Sequence, residues 1–192
     1  MIRSKKTIFF FLLLAGILIC FCSCASAAAA RKNQIYVRLT DDSQYALLPP
    51  ENIEKPIDNH QLVTASYGGR AYQINAWVKA DETGIDMTLM NELGANMGEL
   101  SYRDGAVSLS TPMLPKFIGG EYIIADFQFC FYNIPALREA LESCGLSLVE
   151  TKTGRHVLQE KTLVIEIEKK PNVVRLVNHL RGYAYTLEGN FE

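Results

Sequence analysis

The chain has 192 residues, 48% of them hydrophobic and 21% charged, with a formal net charge of −2. That length suits one domain with a sizeable core, and the charge lacks the basic footprint of a nucleic-acid binder. Arg3, Lys5 and Lys6 carry all the charge of residues 1–23, so the chain beyond them is more acidic still.

Those first residues read as a processing signal rather than as part of a fold. A basic stretch precedes the almost wholly apolar residues 8–19, and small residues follow. The apolar run is shorter than the ~20 residues that a spanning helix needs. Three cysteines close it, and what precedes each one separates them. Bacterial lipoprotein signals place an apolar residue at −3, a small one at −2 and Gly, Ala or Ser at −1. Cys20 follows Ile19 and Cys22 follows Phe21, both too bulky for −1, whereas Cys24 follows Phe21-Cys22-Ser23. Cys24 is therefore the expected lipidation site. Its thiol takes a lipid and its freed amine an acyl chain such as palmitate, and multiple chains hold stably to a bilayer. The competing cleavage site, Ala25-Ser26-Ala27, would release a soluble protein. Ala25 is not the Asp that marks inner-membrane retention, so the periplasm-facing surface of the outer membrane is the expected location.

Residues 25–33 read as a tether and residues 34–40 as a strand. Residues 47–59 contain three prolines and no period, which predicts a surface loop. Strands are then predicted over 62–67, 71–79, 84–90 and 98–102. In 71–79, Tyr72, Ile74, Ala76 and Val78 alternate with Gln73, Asn75 and Trp77. Gly68-Gly69 is a turn, and Arg103-Asp104-Gly105 is a hairpin signal leading into Val107 and Leu109.

The middle of the chain changes period. Residues 119–132 are strongly apolar, with Ile123, Phe127 and Phe131 at four-residue spacing, which predicts a helix. Asn133 is the predicted cap of a second helix carrying Ile134, Leu137 and Leu141 and stopping at Gly145. Cys130 and Cys144 lie in this region. An oxidising periplasm allows them to pair, while their apolar surroundings suit two buried thiols. Strands return over 146–151, 155–158, 162–168, 173–178 and 183–188. In 162–168, Leu163, Ile165 and Ile167 share a face opposite Val164, Glu166 and Glu168.

The predicted class is α+β: one domain over 34–192, a curled antiparallel sheet with two helices as a lid. About ten one-sidedly apolar strands make a sheet that must curl, and a curled sheet under a partial lid tends to leave an apolar hollow. From periodicity alone, an interior filled by side chains is the simpler outcome.

No catalytic signature stands out, and neither metal nor cofactor is expected. His60, His156 and His179 are far apart and in no ligand spacing, and no nucleophile elbow, P-loop or dinucleotide fingerprint occurs. Asp126 sits inside the apolar "IIADFQF", where a carboxylate is costly without a partner. A structural acid, satisfied by a helix cap or an arginine, is the simpler reading. Cys144 ends a helix with no histidine nearby in sequence, which favours packing over nucleophilic chemistry.

"GGRAYQINAWVKADETGIDMTLMNELG" (68–94), "PMLPKF" (112–117), "YIIADFQFCFYNIPALREAL" (122–141) and "VVRLVNHLRGYAYTLE" (173–188) resemble an uncharacterised family of Gram-negative predicted lipoproteins, often found near aryl-polyene-type gene clusters. Where that family places Trp-Pro after the apolar helix, this chain has Tyr132-Asn133. More distantly, residues 84–109 are similar in layout to LolB-type outer-membrane lipoprotein receptors. Those are open half-barrels around an apolar cavity, with helices as a lid, that accept lipoproteins from a LolA-like periplasmic carrier. Their Asn-Pro-Leu-Gly turn presents a leucine that serves membrane transfer. Here the turn reads Asn91-Glu92-Leu93-Gly94, so the resemblance assigns that role to Leu93 and implies a looser loop without the proline.

The resulting expectation is a lipid-anchored protein that binds acyl chains or lipidated cargo and assists delivery to the outer membrane. Each methylene moved out of water contributes ~0.8 kcal/mol. The residues expected to line the hollow are Ile74, Val78, Met87, Leu89, Leu100, Ile165 and Ile167 on strands, with Phe127 and Phe131 from the lid. The alternative is an accessory lipoprotein with a filled core that docks an envelope or biosynthetic complex.

Overall fold

A computed structural model describes residues 34–112 and 119–191. Cys24, the tether and residues 113–117 of the family-like block lie outside the described residues.

The alternating stretches form strands, in the order β1 (Tyr36–Arg38), β2 (Gln44–Ala46), β3 (Ile57–Tyr67), β4 (Arg70–Asp81), β5 (Gly84–Met90), β6 (Asn96–Arg103) and β7 (Ala106–Ser110). Two helices follow, α1 (Gly120–Phe131) and α2 (Ile134–Glu142). The chain then returns to strands as β8 (Ser147–Glu150), β9 (Gly154–Gln159), β10 (Thr162–Lys170), β11 (Val173–Asn178) and β12 (Tyr183–Glu188). β1 and β2 pair with each other. The rest form a 10-stranded sheet in the order β7-β6-β5-β4-β3-β12-β11-β10-β9-β8. Every pairing is antiparallel, so two meanders meet at β3 and β12. The class is α+β, and the sheet is open.

One helix fits a sheet that curls. α1 contacts both β7, an edge strand, and β11, six places away in the order. In a flat sheet those strands would be ~29 Å apart at the usual strand spacing, yet a helix of this length runs only ~18 Å. The register gives the inner face. Leu109, Leu100, Met87 and Val78 form one cross-strand row, and Tyr185, Leu176, Ile167 and Arg155 another.

α1 is buried from Ile124 through Phe131 without interruption, its polar Asp126 and Gln128 included. Its start packs closely under the sheet. A Cβ on Gly120 would stand 2.9 Å from both Leu100 Cδ1 and Val107 Cγ1. Asn133 caps α2 as expected, its Oδ1 accepting from Ala136 N at 3.0 Å, and Gly145 ends that region at φ +81°.

Two expectations need correction. Residues 47–59 are not simply a surface loop: β3 begins at Ile57, with Ile57 facing Ala80 and Gln61 facing Ala76. The polar run Asp58-Asn59-His60-Gln61 hides the alternation, because Gln61 occupies an inward position and is buried. In β10, Leu163, Ile165 and Ile167 do not share one face. The register shifts between Leu163 and Ile165, so consecutive Val164 and Ile165 are both buried.

Candidate functional site

The residues expected to line a hollow divide in two. Val78, Met87, Leu100, Phe127, Phe131, Ile165 and Ile167 are buried in the packed core. Ile74 and Leu89 are only half-buried. Of the surface depressions among the described residues, one lies around Asn172, Val173 and residues 188–190 and another around residues 86–88, 99–101, Ser108 and Ser110. Neither is lined by α1 or α2.

Asp126 has a partner from the opposing sheet. Tyr183 donates its hydroxyl to Asp126 Oδ2 at 2.7 Å and accepts from Asn178 Nδ2 at 3.3 Å. Burial pushes the Asp126 carboxyl up to about 7, against the Tyr183 hydrogen bond and the nearby Arg181 charge. Arg181 also lies over the Tyr122 ring, 4.3 Å from its centroid, and donates to the Arg38 carbonyl. Cys130 and Cys144 are both free. Burial pushes the Cys130 thiol up to about 12 and raises Cys144 as well, which disfavours the reactive thiolate of each. Among the described residues no three His, Cys, Asp or Glu are grouped to hold a metal ion, and no helix is long and apolar enough to cross a membrane.

The distinctive surface lies at one end of the sheet. The pairs Tyr67↔Arg70, Asn75↔Met90 and Tyr67↔Tyr183 bring the turns after β3, β5 and β11 to that same end. Burial along the inner face fades towards it. Val78 is 2% exposed, Ile74 is half-buried and Tyr72 is 48% exposed; on β3, Val63 is half-buried and Tyr67 is 53% exposed. Beyond the strand ends, Leu93 is 92% and Leu180 51% exposed. Basic Arg70 and Lys161 are also exposed at this end.

Each leucine lies in a turn braced by an asparagine and a glycine, with different spacing. Asn91 Oδ1 accepts from Leu93 N at 2.9 Å and Ala95 N at 3.0 Å, while Gly94 N donates to Asn91 O at 3.0 Å and Gly94 takes φ +78°. These hydrogen bonds brace the turn, which has Glu92 where the resemblance places proline. In the β11–β12 turn, Asn178 Oδ1 accepts from Arg181 N at 2.9 Å and Asn178 O from Gly182 N at 3.0 Å, with Gly182 at φ +65°. Each asparagine holds a leucine two residues on in an exposed turn. Sequence reasoning found Leu93 and missed Leu180. The available signal was the echo of "NELG" in "NHLRG".

Comparison with curated proteins gave no match. Residues 58–189 match the profile of the family described as "Protein of unknown function (DUF3261)", which spans the large sheet and both helices, and the chain belongs to that uncharacterised family.

Proposed function

We propose that this chain is a lipoprotein of the outer membrane, anchored through Cys24, that holds acyl chains or acylated cargo and passes them to the bilayer. The open sheet with its helices would act as a LolB-like half-barrel, receiving cargo from a LolA-like carrier. The observation that carries this reading is the exposure of Leu93, Leu180, Tyr67 and Tyr72 at one end of the sheet. Leucine contributes about 1.5–3 kcal/mol when moved from water to an apolar phase, and tyrosine suits the interface where one end is wet. The half-buried Ile74, Leu89 and Val63 continue that surface inwards, so a chain can lie along it without an enclosed hollow. Release needs only a more apolar destination, which the bilayer provides.

The packed state of the other expected lining residues supports the second reading, a docking protein that binds no lipid. Vesicle flotation of residues 25–192, which lack the apolar signal and Cys24, separates the two, because any binding then comes from the protein surface. On phosphatidylethanolamine–phosphatidylglycerol vesicles the parent floats, Leu93→Glu and Leu180→Glu each weaken flotation about tenfold or more, and a fluorescent fatty acid is taken up. A parent that neither floats nor takes up the fatty acid leaves the docking reading.

A further inference from the structure

At the opposite end of the sheet a cluster of charges is incompletely matched. Arg155 projects from the inner face of β9, opposite Ile167, and is 4% exposed. Its Nη1 donates to the Tyr132 carbonyl at 2.8 Å, which satisfies the end of α1. Its carboxylate contact is weaker, Nη2 to Glu54 Oε2 at 3.4 Å. Lys169 on β10 reaches the same oxygen from 3.7 Å. Glu150, the cross-strand partner of Arg155, is engaged by Arg138 at 2.9 Å. Two cations, with side chains 5% and 30% exposed, thus share one carboxylate whose side chain is 54% exposed.

Such an arrangement is poorly compensated. Taking a cation out of water costs several kcal/mol and is repaid only by close, well-directed partners, and both contacts lie beyond good hydrogen-bond range. Burial lowers the pKa of both groups, and the Arg155 charge lowers that of Lys169 further. Glu54 is tied to α1 by its backbone, its N–H donating to the Phe131 carbonyl at 2.9 Å. Its side chain can therefore swing outwards while the main chain stays. Beside the cations lies an aromatic wall: Lys169 Nζ is 5.9 Å from the Phe131 ring centroid, and Phe131 and Phe191 stand 5.4 Å apart.

We infer that Arg155 and Lys169 form a subsite for an oxyanion, a carboxylate or a phosphate group, carried by a small amphiphile whose apolar part lies on Phe191, which packs over the buried Phe131. Glu54 occupies the subsite when no ligand is present, and the ligand displaces it. This site does not depend on the membrane-facing end.

The test is calorimetric titration of the full chain at low salt with hexanoate and with inorganic phosphate. Hexanoate binds the parent. Glu54→Gln removes the competing carboxylate and tightens binding about tenfold, the scale of one charge-assisted hydrogen bond. Lys169→Met weakens it by a similar factor while the melting temperature holds. Phosphate bound as tightly as hexanoate keeps the oxyanion site but overturns the amphiphile. No binding by the parent or by Glu54→Gln, or an affinity that Glu54→Gln leaves unchanged or lowers, overturns the site and makes the cluster a structural tie. Leu93→Glu leaves all these titrations unchanged, so failure here is distinct from failure of the membrane reading.

Discussion

Asp126 was legible in the sequence as a problem, a carboxylate in an apolar helix, but its solution was not. Its partner, Tyr183, lies 57 positions away, and only the fold of α1 onto β12 brings them together. The groups around it are Tyr183 and Tyr185 on β12, Arg181 in the preceding turn and Cys130 on its own helix. The raised pKa has a consequence for stability. In the unfolded chain the carboxyl loses its proton near its ordinary value of 3.8, whereas the folded protein keeps it until about 7. Between those values the folded state binds more protons, so the contribution of this residue to stability falls as pH rises, by on the order of 2–4 kcal/mol across the window. Asp126→Asn keeps an acceptor for Tyr183 and removes the ionisation. It is expected to match the parent near pH 4 and to unfold at higher denaturant near pH 8. Denaturant melts at the two pH values check this, and equal midpoints at pH 8 would show that the burial cost is relieved in some other way.

At the scale of elements, the segment before β3 behaves as a strap over the helices, and proline content concealed it. β1 contacts α1 and β2 contacts α2. Gln128 is fully buried and locks the strap to α1: its Oε1 accepts from Tyr45 Oη at 2.8 Å and Leu48 N at 3.0 Å, and its Nε2 donates to Leu48 O at 2.7 Å. Further on, Asn133 N donates to Asn52 O and Glu54 N to Phe131 O, both at 2.9 Å. Gln128→Leu keeps similar bulk but strands the buried Tyr45 hydroxyl and two part-buried backbone groups of Leu48, so a loss of about 2–5 kcal/mol is expected. Tyr45→Phe removes one bond from the same cluster and costs about 1 kcal/mol. Urea unfolding of the two variants, compared with the parent, measures both. A Gln128→Leu protein as stable as Tyr45→Phe would mean that the strap is held by apolar packing alone. Within the sequence, Gln128 is one polar residue in a strongly apolar stretch. Its role depends on backbone groups 80 positions away, which no local pattern encodes.

For the whole molecule, the anchoring prediction rests on the N-terminal residues. Fractionation of cells making the full chain is expected to place it with the outer membrane, and Cys24→Ser to move it to the soluble periplasmic fraction or leave it weakly membrane-bound through Leu93 and Leu180. Unchanged tight membrane association of Cys24→Ser would remove the lipid anchor from the proposal. The sequence by itself determined the order and kind of almost every element and the caps of α2, because periodicity, turn glycines and asparagine caps act over a few residues. It also singled out Leu93, through a resemblance. The tertiary structure decided the rest: which strands became neighbours, the inward place of Gln61, the shifted register in β10, a second leucine exposed at the same end of the sheet, and the pairing of Arg155 and Lys169 on Glu54. Each of these depends on contacts between segments distant in the chain. They are set when the curled sheet closes on α1, and a single strand read alone carries no record of what it will face.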